Sequence, residues 1–420
     1  MDKLVIEGGR PLRGEVKISG SKNATLPILA ATLLTDEQCV IHNVPKLRDT
    51  LTMIKLLRSL GKNAVMEGDT VVISSKGPLT HIADYKLVST MRGSFCVLGP
   101  LLAKLRQAKV SLPGGCVIGV RPVDLHIKGI QALGAKTEIE GGYVIAKAPR
   151  LKGAPIYLAG ALGSSVLATA NIMMAAVLAQ GQTVIESASC EPEIEDLANF
   201  LIEMGAKIQG HGGPRIIING VKRLYGAEFR IAADRIEAGT FMIMAAAVKS
   251  SIVLRNVPYA QLLALVDKMH EAGINVEEKG SAVKVTAGRK IKPTSITTLP
   301  HPGFPTDLQA QFMALMTMTP GVSIVTDKVF PDRFIHIAEL SRMGANIRRE
   351  GSCAIIEGVK TLFGAPVMAS DLRASAALVI AGLAAKGKTD IHRIYHLERG
   401  YENMDEKLKN LGAKIYREKE

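Results

Sequence analysis

The chain has 420 residues, 47% of them apolar and 22% charged, and a formal net charge of +13. That length and apolar content exclude a disordered chain and predict two domains, or three. The basic balance points to anionic partners, but the charges are scattered; aromatics at 4% and the lack of Trp leave few platforms for stacking bases, which argues against nucleic acid.

Residues 1–9 read as a strand and a turn, with an apolar run far too short for a signal peptide. The apolar stretches around Ile172 and Phe241 are interrupted before 18 residues and predict buried helices, not membrane insertion. The five cysteines, Cys39, Cys96, Cys116, Cys190 and Cys353, have no CxxC spacing. They point to a reducing, cytoplasmic setting and give no metal site.

The strongest organisational signal is a repeat. An apolar residue followed by Gly closes a helix at Gly61, Gly134, Gly205, Gly273, Gly344 and Gly412, at intervals of about 70 residues. Each Gly suits the left-handed position after a helix. Ala-rich helices open the repeats and are predicted at Ala24–Leu34, Phe95–Lys104, Val166–Ala179, Thr240–Val248, Leu308–Met318 and Ala374–Ala385. A strand, a second amphipathic helix (Ile194–Met204 in the third copy) and a strand pair complete a βαβαββ pattern. Helices apolar almost all round must be buried on all sides. The expected fold class is therefore α/β, with two inside-out domains of three repeats each, helices in the core and a cleft between the domains. The first strand, residues 3–8, has no helix of its own, so it is expected to complete the second domain. The expected domains are 22–229, and 1–21 with 230–420; an N-terminal half ending near Tyr225 differs only in those first residues.

The segment Leu112-Pro113-Gly114-Gly115-Cys116-Val117-Ile118-Gly119-Val120-Arg121 predicts a loop with a thiol five positions before an arginine. An exposed Cys near a cation is reactive; a half-buried Cys in a tight turn is the plain alternative. Walker, GxGxxG and HExxH patterns are missing, so no nucleotide cradle or zinc site is indicated, and no cofactor is expected. His301, in a proline-rich loop, reads as structural. Polar groups recur where the apolar helices begin: Ser19-Gly20-Ser21-Lys22-Asn23, Arg92-Gly93-Ser94, Ser164-Ser165, Asp234–Thr240, Thr306-Asp307 and Asp371-Leu372-Arg373. Ser and Asp there serve as N-caps. Lys22, Arg92 and Arg373 oppose the helix dipole and are expected only beside something negative.

These stretches, with Glu191-Pro192-Glu193, Arg333-Phe334, Glu339–Ala345 and Arg399-Gly400-Tyr401-Glu402, closely resemble the UDP-N-acetylglucosamine 1-carboxyvinyltransferases, the enolpyruvyl transferases that start peptidoglycan precursor synthesis. The resemblance covers essentially the whole chain. It implies two inside-out domains with a closing cleft, small-molecule substrates (phosphoenolpyruvate and UDP-N-acetylglucosamine) and an addition–elimination at C2 of the enol. It also implies residue roles. Cys116 is the acid at C3 and can add covalently, Asp307 is the base at the sugar hydroxyl, and Lys22 is the central cation. Lys22, Arg121 and Arg399 hold phosphoenolpyruvate, with Arg92 on the phosphate side and Asn23 bonding the sugar or the intermediate. Arg121, Pro122, Val123, Asp124 and Leu125 surround the uracil, Ser165 and Val166 lie near the diphosphate, and Val329 and Phe330 close the pocket. Asp371 and Arg373 are expected as a supporting ion pair, and Glu191 and Glu193 as structural.

Two departures stand out. Leu167 sits where the family usually has Gly, adding bulk near the expected diphosphate position, and Pro331 follows Phe330. The nearest rival is the shikimate-pathway enolpyruvyl transferase, which lacks the Cys-bearing Pro-Gly-Gly loop. A catalytically silent relative and an RNA-binding repeat protein are the other readings.

Overall fold

The computed structural model describes residues 2–114, 122–161, 163–288 and 290–419. The chain divides into two compact domains. One runs from Gly20 to Ala232; the other joins the segment up to Ser19 to the chain from Ala233 onward.

Among the described residues each domain holds three copies of one four-stranded sheet. The third repeat shows the pattern plainly. Pro155–Tyr157 lies parallel to Gln182–Glu186, which pairs antiparallel with Arg215–Asn219, itself antiparallel to Lys207–Gln209. The register puts Ile156, Ile185 and Ile216 in one row, and all three are buried. Val184 and Ile217 on the other face are only half-buried, the alternation expected of a sheet covered on one side. Each fully buried Ile or Leu contributes roughly 1.5–3 kcal/mol.

Two repeats take their first strand from elsewhere in the chain. Arg13–Lys17 runs parallel to Ser251–Arg255 in the fourth repeat, and Glu228–Arg230 runs parallel to Cys39–His42 in the first. Asp2–Glu7 pairs antiparallel with both Lys388–His392 and Lys414–Lys419, filling the sixth sheet. Among the described residues the backbone therefore passes between domains twice, at Ser19–Gly20 and Ala232–Ala233.

Inside each domain three apolar helices meet. In the first they are Lys22–Ala31, Leu98–Leu105 and Val166–Ala176; in the second, Arg235–Ala247, Gln309–Met316 and Leu372–Ala384. Every residue from Arg373 to Leu383 is buried, so the sheets lie outside and the helices inside. The helices differ from the sequence expectation at their ends. The fourth begins at Arg235, ahead of the expected Thr240, because Asp234 caps it by accepting from the amides of Ile236 and Glu237. The second and fifth open as 3-10 turns, Arg92–Val97 and Thr306–Leu308. All six repeat glycines have φ between 81° and 108°, the left-handed region that ends a helix at least cost on Gly. Gly99 serves another need, since a Cβ there would lie 2.2 Å from the Asn171 carbonyl oxygen of the neighbouring core helix. Among the described residues no helix is long and apolar enough to cross a membrane.

Candidate active site

In the second domain the N-terminal ends of the core helices carry a buried polar cluster. Asp307 sits in the 3-10 turn Thr306–Leu308 and accepts from two arginines. Arg333 Nη1 donates to Asp307 Oδ1 at 2.7 Å, and Arg373 Nε and Nη2 donate to Oδ2 at 3.2 and 3.1 Å. Both guanidiniums are buried, while Asp307 keeps 25% exposure. Burial opposes the charge on Arg333, but Asp307 and Asp371 outweigh it and the pKa is raised. Arg373 is likewise raised against its burial, by Tyr401, Asp307 and Asp234.

Arg373 also faces the Tyr401 ring, 5.2 Å from its centroid. The Tyr401 hydroxyl lies 3.0 Å from Thr240 Oγ1 and accepts from Gln311 Nε2 at 3.0 Å; the same amide reaches the Asp307 carbonyl at 2.8 Å. This hub ties the segments carrying Asp307, Arg373 and Tyr401 to one another. Buried His336 is pushed down to about 4 by burial, with Arg333 acting the same way and Asp371 opposing, so it is neutral near pH 7.

The expected Asp371–Arg373 ion pair does not form. Asp371 Oδ1 accepts from the backbone amides of Arg373 and Ala374 at 2.7 and 3.0 Å, capping the helix, and the Arg373 guanidinium goes to Asp307. A side chain two residues into a helix points away from its own cap, so sequence proximity misled the pairing. Arg399 closes the 3-10 turn Ile394–Arg399 and is half-buried. It and Asp371 both act on His396, whose pKa is lowered, by burial first and by Arg399 next.

Val329 and Phe330 are half-buried and follow the strand Val322–Asp327. Their backbone amides donate to Asp327 Oδ1 at 3.0 and 2.7 Å. The Pro331 carbonyl accepts from Arg349 Nη2 at 3.3 Å.

In the first domain Lys22 is the first residue of its helix and is buried, with Nζ 3.0 Å from Asp49 Oδ2. Asn23 follows and is half-buried. Arg92 Nη2 donates to the Pro122 carbonyl at 3.0 Å. Val123 and Leu125 pack on the core, and exposed Asp124 opens the helix Asp124–Ala132. Behind them buried Asn171 cross-links three segments, accepting from the Gly99 amide at 2.7 Å, donating to the Phe95 carbonyl at 3.0 Å and meeting His126 Nδ1 at 2.9 Å. Ser165 caps the third core helix, accepting from the Ala168 amide, Val166 is half-buried, and Leu167 packs against the core. Glu191 precedes the helix Pro192–Glu203 and Glu193 is buried in its first turn. Cys116 and Arg121 lie outside the described residues. Of the other thiols, burial pushes Cys96 up to about 12 and raises Cys39, so neither is a nucleophile near neutral pH.

The anions that Lys22 and Arg373 require at their helix starts are thus present in the chain, as Asp49 and Asp307. Among the described residues no cluster of His, Cys, Asp or Glu is placed to hold a metal ion.

Sequence reasoning gave no role to Asp327, Arg333, Gln311, Thr240 or Tyr401. The available signal for Gln311 was a polar side chain, with Gln309, at the start of a mostly apolar helix. It also missed the groups at the two crossings. Ser19 donates its amide to Glu237 Oε2 at 2.7 Å and its hydroxyl to Glu402 Oε2 at 2.6 Å, and it accepts from Lys407 Nζ at 2.7 Å. At the second crossing the Ala232 amide donates to Asp196, whose carboxyl burial pushes up to about 6.

A profile of the EPSP synthase (3-phosphoshikimate 1-carboxyvinyltransferase) family matches residues 6–408. Two solved structures share the fold. The enolpyruvyl transferase NikO from Streptomyces tendae superposes with a TM-score of 0.89 at 23% identity, covering 99% of this chain and 98% of its own. EPSP synthase from Acinetobacter baumannii gives 0.76 at 18% identity, over 100% of both chains. Closer in sequence are a UDP-N-acetylglucosamine 1-carboxyvinyltransferase of Methylacidiphilum infernorum, 52% identical over 99% of each chain, and a UDP-N-acetylglucosamine 1-carboxyvinyltransferase 2 of Carboxydothermus hydrogenoformans, 54% identical over 99% of each. The chain belongs to the EPSP synthase family and, within it, to the UDP-N-acetylglucosamine 1-carboxyvinyltransferases.

Proposed function

We propose that the protein transfers the enolpyruvyl group of phosphoenolpyruvate to the 3-hydroxyl of UDP-N-acetylglucosamine and releases phosphate, the first committed step of peptidoglycan precursor synthesis, in the cytoplasm. The observation that carries this reading is identity above 50% over essentially the full length to relatives named for that activity.

The sugar hydroxyl adds to C2 while C3 takes a proton, giving a tetrahedral ketal; C3 then loses a proton and phosphate leaves. The chemistry needs an acid at C3, a base at the hydroxyl, and cations for a carboxylate and a phosphate. Cys116 serves as the acid and as a covalent acceptor of the enolpyruvyl group. Asp307 takes the hydroxyl proton, its carboxylate held by Arg333 and Arg373. Lys22, Arg121 and Arg399 bind phosphoenolpyruvate, with Arg92 on its phosphate and Asn23 on the sugar or the ketal. Arg121 through Leu125 take the uracil, Ser165 and Val166 lie near the diphosphate, and Val329 and Phe330 border the sugar nucleotide. Asp371 and Arg373 support the site, one as a helix cap and the other as the clamp on Asp307.

The description of the matching family favours one rival acceptor, shikimate 3-phosphate. Phosphate release from phosphoenolpyruvate, measured with each acceptor, separates the two. Release with the UDP-sugar alone supports the reading, and release with shikimate 3-phosphate alone reassigns the acceptor. No release with either makes the chain a silent member of its family, with Leu167→Gly the next variant.

A further inference from the structure

Asp327 is a carboxylate with no exposure and, among the described residues, no ion-pair partner. Buried carboxylates are normally matched by a cation or by several strong donors. Here there are four donors. Oδ1 accepts from Thr298 Oγ1 at 2.7 Å and from the amides of Val329 and Phe330 at 3.0 and 2.7 Å. Oδ2 accepts from Thr306 Oγ1 at 2.7 Å.

The last bond has a consequence for Asp307. A hydroxyl has one hydrogen. Thr306 gives its own to Asp327, so toward Arg333 it offers a lone pair, and Arg333 Nη1 donates to it at 3.2 Å. The same Nη1 donates to Asp307 Oδ1 at 2.7 Å. Arg333 is thereby aimed from two sides, and its direction depends on Asp327 being an acceptor only.

We propose that Asp327 is a positioning residue for the transfer reaction: one buried carboxylate fixes the Val329–Phe330 loop through Oδ1 and, through Oδ2, Thr306 and Arg333, fixes the Asp307 carboxylate. The inference rests on the proposed function, which gives that loop to the UDP-sugar and Asp307 to its hydroxyl. Asparagine has nearly the same shape and cannot do both tasks. With its NH2 toward Oδ1's partners it meets three donors. With its NH2 toward Thr306 it takes one of the hydroxyl's two lone pairs and frees its hydrogen, so the orientation that presents a lone pair to Arg333 is no longer fixed.

The test is steady-state phosphate release by wild type, Asp327→Asn, Thr306→Val and Thr306→Ser, varying the UDP-sugar and phosphoenolpyruvate separately, with Tm recorded for each. Asp327→Asn is expected to raise KM for the UDP-sugar and to lower kcat, each by about 10-fold, since small misplacements of reacting groups are costly. Thr306→Val cuts only the branch to Arg333, so kcat falls by about 10-fold while KM for the UDP-sugar stays within about twofold; Thr306→Ser, which keeps the hydroxyl, recovers kcat. A purely structural role would lower Tm without this split. If Asp327→Asn does not fold, the Thr306 pair decides. Thr306→Val equal to Thr306→Ser in kcat overturns the inference, as does a folded Asp327→Asn with both constants within twofold of wild type. Wild type that releases no phosphate with the UDP-sugar overturns the proposed function and this inference together. An active wild type with unaffected variants overturns this inference alone.

Discussion

Replacing Lys407 by Met probes the crossing directly. Lys407 Nζ lies 2.6 Å from Glu237 Oε1, and Glu237 is 2% exposed. Burial pushes the Glu237 carboxyl up from its ordinary value, and Lys407 and the Ser19 amide pull against it. Without the ammonium, the carboxylate keeps the Ser19 amide at 2.7 Å as a neutral donor. Breaking a buried pair from one side costs about 3–5 kcal/mol. A domain of this size loses about 2–4 °C of Tm per kcal/mol, so Lys407→Met is expected to unfold about 6–20 °C lower at pH 8. The pH dependence has a definite sign. An acid whose folded pKa is raised binds more protons folded than unfolded, so its cost grows as pH rises above the unfolded Glu value of 4.5 and fades below it. The deficit of Lys407→Met therefore shrinks between pH 8 and pH 5, and Glu237→Gln in the same chain recovers at least half of it. Thermal unfolding followed by circular dichroism at both pH values is the assay. A deficit under about 1 kcal/mol at pH 8, or one that is equal at pH 5, refutes the reasoning.

Asp196→Asn should remove a pH dependence of stability. With the folded carboxyl at about 6 against 3.8, wild type loses about 2 kcal/mol as pH rises from 4 to 7, and urea titrations of the Asn variant should lack that slope. Arg373→Lys keeps the charge but loses the two-nitrogen grip on Asp307 and the stack on Tyr401. The expected result is a kcat lower by about 10–100-fold in phosphate release, and a kcat within twofold of wild type contradicts the clamp. A phosphonate epoxide of the fosfomycin type should add to Cys116 as one covalent equivalent by intact-mass and peptide mass spectrometry; an unmodified Cys116 peptide contradicts a reactive thiol there.

The fold was legible because its signals are local. A Gly that must turn left-handed after a helix, and a helix with no polar face, show themselves in a few residues each. Of the strands borrowed from afar, Asp2–Glu7 was legible as part of the second domain and two others were not. Arg13–Lys17 and Glu228–Arg230 are short, and nothing near them in sequence names Ser251–Arg255 or Cys39–His42 as partners. The site divided in the same way. Ser21, Ser165, Asp234 and Asp371 act on amides two or three residues ahead, as local capping rules expect. Asp307 and Arg373 are 66 residues apart, and Glu237 and Lys407 are 170 apart. Such pairs depend on how repeats stack, and stacking leaves no mark in either local sequence.

The cations at the helix starts carry the last step of the argument. Lys22 and Arg373 stand where the helix dipole disfavours them, and a negative group close by is the expected compensation. Asp49 and Asp307 supply it within the chain. Under the proposed function, Lys22 would meet a substrate anion with the Asp49 carboxylate already beside its ammonium. Such preorganisation is what makes electrostatic stabilisation effective, since little has to reorient when charge develops. For Asp307 the same pairing works in the opposite direction. Two guanidiniums steady the carboxylate, and every proton it takes weakens both bonds. Arg333 and Arg373 therefore do more than neutralise a buried charge. If Asp307 is the base of the proposed function, they set how much of the hydroxyl proton it can accept in the addition step, and on the Arg333 side that setting runs back through Thr306 to Asp327.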